Sequence, residues 1–113
     1  MIQITPHIRI FQYIEPIDFR NGIDGIKAIC RLKMKQDPTN GSMFIFINRR
    51  RTSFKILVFD GQGFWLCQKR FSQGKIKFWP SGNGILTAPQ LQVLLYNGNT
   101  ENCRIAEDWK KIT

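Results

Sequence analysis

The feature that most constrains the fold is a pair of short apolar runs in the middle of the chain, Met43–Ile47 and Ile56–Phe59. In both runs the apolar side chains occupy odd and even positions alike. Successive residues of a strand point to opposite sides of a sheet, so strands of this kind are buried on both faces. The sequence therefore places these two strands in the middle of a sheet that is covered on both sides.

Alternating polarity and turn residues extend this sheet in both directions. Five strands are predicted, at residues 8–14, 42–48, 53–60, 63–71 and 75–79. Asp60-Gly61-Gln62-Gly63 is suited to a hairpin turn, because glycine readily takes positive φ. The segment Gln36–Gly41 contains Pro, Asn and Gly and predicts a second turn. The last four strands are expected to form an antiparallel meander.

A helix is predicted between the first strand and the meander. Asp18 is placed to cap it, since a carboxylate there can accept a free backbone N–H of the first turn. Apolar residues recur at helical spacing from Phe19 to Cys30. Gly22 and Gly25 are three residues apart, which indicates that another backbone, most simply the sheet, packs closely against this helix.

A second, short helix is predicted near the C-terminal end. Thr87 and Gln90 have the spacing of a capping box, and Asn97-Gly98 has the form of a helix end. The fold expected is a single α+β domain, residues 1–98, consisting mostly of antiparallel β-meander packed with the two helices. Residues 99–113 are expected to form a polar tail.

The charge balance points to an anionic partner. Seventeen Lys and Arg against eight Asp and Glu give a net charge of +9, and such an excess favours polyanions. No apolar run approaches the length of a transmembrane helix, and the N-terminal segment does not resemble a secretory signal. A cytoplasmic protein without a membrane partner is expected.

Residues suited to catalysis or metal binding are few. The three cysteines, Cys30, Cys67 and Cys103, are far apart, and His7 is the one histidine. This set offers neither a closed zinc site nor a hydrolase triad, and no phosphate-binding glycine loop occurs. We therefore expect no enzymatic activity, no metal, no cofactor and no small-molecule substrate.

The basic residues are instead concentrated in and around the meander. The candidate nucleic-acid contacts are Arg20, Arg49, Arg50, Arg51, Lys55, Lys69, Arg70, Lys75 and Lys77. Three consecutive arginines at a hairpin tip could contact phosphates bidentately, but a solvated loop would look the same. Lys55 and Lys69 fall on adjacent strands and could share a face with Lys75 or Lys77. The neighbouring aromatic residues, from Phe64 to Trp79, are expected to be mostly core.

Several ordered motifs resemble one family. They are DxRxGxxGI from Asp18, DPxxGxxFxFxxRRR from Asp37 to Arg51, KxLxxDGxGFxL from Lys55 to Leu66, and LTxxQLxxLLxG from Leu86 to Gly98. Together they resemble the small accessory transposition proteins, called TnpB, that are encoded by the second reading frame of insertion-sequence 66 elements.

The resemblance implies an accessory role in transposition, beside a separate DDE-type transposase. No catalytic residue is carried over by it. Two functions remain open: DNA binding through the basic surface, or an adaptor that docks on the transposase or other element-encoded proteins without binding DNA alone. The resemblance also covers Asp60 and Gly61, which are expected to form the turn.

Overall fold

Five strands and two helices follow one another along residues 8–97, the part of the chain that the computed structural model describes. In chain order they are β1 (Ile10–Gln12), α1 (Ile23–Leu32), β2 (Met43–Ile47), β3 (Ser53–Phe59), β4 (Phe64–Arg70), β5 (Ile85–Leu86) and α2 (Ala88–Leu95). The predicted α+β class is confirmed. The predicted tail, residues 99–113, lies outside the described residues.

The strands form one mixed sheet in the order β4-β3-β2-β1-β5. β2, β3 and β4 make three of the four strands predicted for the antiparallel meander, with Phe44 opposite Leu57 and Leu57 opposite Leu66. β1 lies on the other side of β2 and runs parallel to it, so that β1, α1 and β2 form a β-α-β unit. β5 pairs antiparallel with β1 and closes that side of the sheet.

The prediction of a strand at Lys75–Trp79 was wrong, and the fifth strand is β5. The backbone of this segment is bonded to loops instead of to a strand ladder. The Ile76 amide donates to the Arg51 carbonyl at 2.7 Å, and the Lys77 amide donates to Asn97 Oδ1 at 2.7 Å. Ile76 and Trp79 enter the core, where the Trp79 indole N–H donates to the Ile14 carbonyl at 2.8 Å.

The sheet is covered on both faces, as the two apolar runs predicted. On one face α1 contributes Ile26 and Cys30 to a core with Phe44, Phe46 and Leu57. On the other face α2 and the 76–79 segment cover the sheet. Their core residues include Met43, Ile45, Phe54, Ile56, Ile76, Trp79, Leu91 and Leu94. Every residue of β2 is buried, as expected of the central strand of the sheet.

The start of α1 differs from the prediction. The helix begins after Gly22, which has no side-chain cap, so the assignment of Asp18 as its cap was wrong. Asp18 instead accepts the backbone N–H of Arg20 at 2.8 Å, in a turn that precedes the helix. A Cβ at Gly25 would collide with the Asn21 side chain. The close neighbour of that glycine is therefore the segment before the helix and not the sheet.

The start of α2 agrees with the prediction. Thr87 Oγ1 accepts the Gln90 backbone N–H at 3.2 Å, and Gln90 Oε1 accepts the Thr87 N–H at 2.9 Å. This reciprocal capping box satisfies two backbone donors at the helix end. Asn97, just after the helix, has a positive φ of 62°, as expected of a residue that ends a helix.

Candidate nucleic-acid interface

The turn between β2 and β3 carries the three arginines and is held by one side chain. Asn48 Oδ1 accepts the backbone N–H groups of Thr52 and Ser53 at 2.8 and 3.1 Å. Its Nδ2 donates to Thr52 Oγ1 at 2.9 Å. Arg51 takes a positive φ of 59°, and its amide donates to the Asn48 carbonyl at 3.1 Å. We call Arg49–Arg51 the arginine tip.

A second loop, residues 17–21, lies beside the arginine tip. Ile17 forms a parallel bridge with Asn48, and its amide donates to the Ile47 carbonyl at 2.9 Å. This contact brings Arg20 to the same end of the sheet as Arg49 and Arg50. An open groove of about 490 Å³ lies between the two loops; its lining residues are Ile17, Asp18, Phe19, Arg20, Asn48, Arg49 and Arg50. The structure thus brings Arg20 to the same groove as Arg49 and Arg50, from which it is distant in sequence.

The groove contains one carboxylate, that of Asp18, among its lining residues. Its Oδ2 lies 2.6 Å from the Arg20 guanidinium, whose side chain is 91% exposed. Side-chain and backbone hydrogen bonds from Arg20, with a smaller contribution from Arg49, lower the pKa of Asp18 to about 2. Asp18 is therefore ionised at neutral pH and orients Arg20. Arg49 and Arg50 form no ion pair within residues 8–97.

Lys55 is buried and is bonded to the loop that forms one side of the groove. Only 7% of the residue is exposed, and its Nζ donates to the carbonyls of Phe19 and Asn21 at 2.7 and 3.0 Å. The ammonium also sits 4.9 Å from the centre of the Phe19 ring. Burial lowers its pKa. Because Lys55 binds the carbonyls of the residues before and after Arg20, it fixes the backbone that carries that arginine.

Lys55 and Lys69 lie on opposite faces of the sheet, contrary to the expectation of a shared face. Lys55 is paired with Gln68, whereas Lys69 is paired with Phe54 and faces α2. The Lys69 ammonium donates to the Leu95 carbonyl at the end of α2 and lies 5.0 Å from the Tyr96 ring centre. A cation at a helix C-terminus stabilises it.

The remaining candidates are exposed and near the arginine tip. Arg70 lies at the end of β4, opposite Ser53 at the beginning of β3. Lys75 and Lys77 flank Ile76, whose amide is bonded to Arg51. The structure thus places Arg70 and Lys75 at the arginine-tip end of the sheet, outside the groove.

The aromatic residues were expected to be mostly core, and this is correct for Trp79, which is 8% exposed and stacks on Phe54. Trp65 differs, since 48% of it is exposed. Asp60 accepts the backbone N–H groups of Gln62 and Gly63, both at 2.9 Å, and the Trp65 indole N–H at 2.8 Å. Asp60 is thus the turn former that the sequence predicted.

Within residues 8–97, no three His, Cys, Asp or Glu side chains come together in a way that could hold a metal ion. Cys30 is buried in the α1 core, and desolvation raises the pKa of its thiol to about 12. No helix in the same range is long and apolar enough to cross a membrane. Cys103 and His7 lie outside this range.

Sequence reasoning missed two asparagines that organise the site. Asn48 holds the arginine tip, and Asn97 bonds both the Lys77 amide and the Lys75 carbonyl, the latter at 3.1 Å. A signal was available for Asn48. It separates an apolar strand from a charged loop, where asparagine often bonds nearby backbone. The contact of Asn97 spans about twenty residues of sequence, and no local pattern predicts it.

The chain is similar to one protein family and to two bacterial proteins. The family described as IS66 Orf2 like protein matches residues 8–104. Uncharacterized protein y4jC of Sinorhizobium fredii (strain NBRC 101917 / NGR234) is 33% identical over 86 residues, which cover 76% of this chain and 74% of that protein. Uncharacterized protein y4hO of the same strain is 29% identical over 98 residues and covers 84% of each chain. No solved structure matches. On the extent of the family match, the chain belongs to the IS66 Orf2-like family.

Proposed function

We propose that this protein is a non-enzymatic accessory factor of IS66 transposition that binds DNA at the arginine tip and the adjoining groove. The accessory role follows from the family. One observation carries the DNA-binding proposal: Arg20, Arg49 and Arg50 converge on one open groove. Guanidinium groups in such an arrangement bind phosphate oxygens with paired hydrogen bonds.

The surroundings of the groove support a phosphate ligand. Arg51, Arg70 and Lys75 extend the positive surface beyond it, and none of them forms an ion pair within the described residues. Cations that are not neutralised by the protein release counterions from DNA when they bind it. The turn held by Asn48 presents Arg49–Arg51 on an ordered backbone.

The roles within the proposed site are unequal. Arg20, Arg49 and Arg50 contact phosphate in the groove, and Arg51, Arg70, Lys75 and Lys77 add positive charge around it. Lys55 and Lys69 act through the fold, because the ammonium of Lys55 binds two carbonyls in the interior and that of Lys69 binds the Leu95 carbonyl at the surface.

A salt titration of DNA binding tests the proposal. The probe is duplex DNA of the element end, and the variant is Arg49→Ala/Arg50→Ala/Arg51→Ala. Loss of two to three phosphate contacts makes the slope of log affinity against log salt shallower by about 2 to 3. The matched control, Arg9→Ala/Arg31→Ala/Lys33→Ala, removes the same charge from exposed positions away from the tip.

Two results contradict DNA binding at this site. One is the absence of DNA affinity at low salt; the other is an equal loss of slope in the control variant. The first result favours the alternative function, an adaptor that docks on the element's transposase. That function requires the two proteins to co-purify after nuclease treatment, and separation of the two under those conditions excludes it.

A further inference from the structure

β4 is the edge strand on one side of the sheet, and the backbone N–H and C=O groups of its alternate residues point outward. Two hydrogen bonds at the ends of the β3–β4 ladder show which residue pairs are bonded: the Asp60 amide donates to the Gly63 carbonyl at 3.0 Å, and the Phe71 amide donates to the Thr52 carbonyl at 2.9 Å. Bonded and non-bonded pairs alternate in an antiparallel ladder. The outward residues of β4 are therefore Phe64, Leu66, Gln68 and Arg70. Within residues 8–97 their outward N–H and C=O groups have no hydrogen-bond partner.

We propose that two copies of the chain pair antiparallel through the β4 edge, about a twofold axis at Cys67. Of the registers that pair outward residues with each other, this one aligns all seven residues of β4. Leu66 is then hydrogen-bonded to Gln68 of the second copy, and Phe64 to Arg70 of the second copy. The result is a continuous sheet across the two protomers, and it is independent of DNA binding at the arginine tip.

The side chains of β4 suit this register. Lys69 comes opposite Trp65 of the second copy, and Arg70 opposite Phe64 of the second copy. Arg70 therefore meets an aromatic ring, which attracts it, whereas the Lys69 ammonium stays at the Leu95 carbonyl and the Tyr96 ring of its own protomer. Two cations never stand directly opposite each other, although like charges on an edge commonly prevent such pairing.

Trp65 is already arranged for an interface. It is 48% exposed, yet its indole N–H is fixed by Asp60 Oδ2 at 2.8 Å. A large aromatic side chain held in place at the surface loses little conformational entropy when a partner covers it. Tryptophan is also among the residues that contribute most to protein interfaces.

Sedimentation equilibrium of the full chain, at a salt concentration that screens its positive charge, tests the proposal. The wild type is expected to dimerise. Gln68→Pro removes an outward N–H that the β3–β4 ladder does not use, and proline is tolerated at such edge positions. The substitution is present in both protomers, so the dimer loses two hydrogen bonds. The dimer dissociation constant therefore rises about tenfold or more. The matched control, Gln68→Ala, keeps the N–H and the dimer.

A thiol cross-link gives a second measurement that does not depend on a proline variant. The register places Cys67 directly opposite its copy in a non-bonded pair, with Cα atoms about 4.5 Å apart. That separation permits a disulfide. In a Cys30→Ala/Cys103→Ser background, diamide takes up two electrons and two protons from the paired thiols, and a covalent dimer is expected. Additional Cys67→Ser substitution abolishes it.

Three outcomes overturn the proposal: a wild-type monomer up to millimolar concentration, a dimer that Gln68→Pro leaves unchanged, or no Cys67 cross-link in a dimeric sample. Circular dichroism of Gln68→Pro shows whether it is folded, and the cross-link decides the matter if it is not. None of these results bears on DNA binding, because the arginine tip is intact in every variant.

Discussion

Replacement of Lys55 by methionine is the sharpest test of how the groove is built. Methionine keeps the length and much of the apolar stem but removes the ammonium. The variant loses two charge-assisted hydrogen bonds, to Phe19 O at 2.7 Å and Asn21 O at 3.0 Å. It also loses the contact with the Phe19 ring.

The expected cost follows from these contacts. Hydrogen bonds to a charged donor contribute about 1.5 to 3 kcal/mol each, and the contact with the ring adds about 0.5 to 1 kcal/mol. Relief from burying a charge in a residue that is only 7% exposed offsets part of this sum. We expect the free energy of unfolding to fall by about 2 to 4 kcal/mol.

Urea denaturation measures the change, with Lys75→Met as the matched control. Lys75 is exposed, so its replacement should alter the free energy of unfolding by less than about 0.5 kcal/mol. At temperatures where Lys55→Met remains folded, its DNA affinity should fall toward that of Arg20→Ala, because the loop that carries Arg20 has lost its anchor. If Lys55→Met is as stable as Lys75→Met, the structural role assigned to Lys55 is refuted.

Three further predictions concern single side chains. A carboxyl NMR titration should give Asp18 a pKa of about 2, and Arg20→Ala should raise it toward 3.8, the ordinary value; a wild-type value near 3.8 contradicts the ion pair. Because the folded-state pKa is lowered, the stability that Asp18 contributes is present above pH 3.8 and is lost as the pH falls toward 2. Thr87→Ala should lower the free energy of unfolding by about 1 kcal/mol in urea denaturation, whereas Thr87→Ser, which keeps the hydroxyl, should change it little; equal losses argue against the capping box. Cys30, with its raised thiol pKa of about 12, should resist iodoacetamide at neutral pH in the folded protein and react after unfolding, and rapid labelling of the folded protein contradicts its burial.

The meander could be predicted because its signals are local. Each of β2, β3 and β4 has its own polarity pattern and is separated from the next by turn residues. β5 could not be predicted in the same way, since two residues carry no periodicity and their partner, β1, is more than seventy residues earlier in sequence. Lys75–Trp79 has the alternation of a strand, but its apolar side chains are used to cover the sheet.

The arginine tip was predicted from its position between two strands, and Arg20 from the family motif. Their convergence was not predicted, because it depends on the bridge between Ile17 and Asn48. The role of Lys55 had a signal in the sequence: it is the one charged residue in β3, where its neighbours are apolar on both sides. A charged residue inside a strand buried on both faces needs an internal partner.

The hydrogen bonds of Asn48 have a thermodynamic consequence. A turn whose backbone is already ordered by its own side chain does not have to be ordered when a ligand arrives. Binding of DNA there should therefore draw on the entropy of released ions without an opposing entropy of loop folding. Calorimetry of the complex is expected to show a small change in heat capacity, unlike the large negative one of segments that fold as they bind.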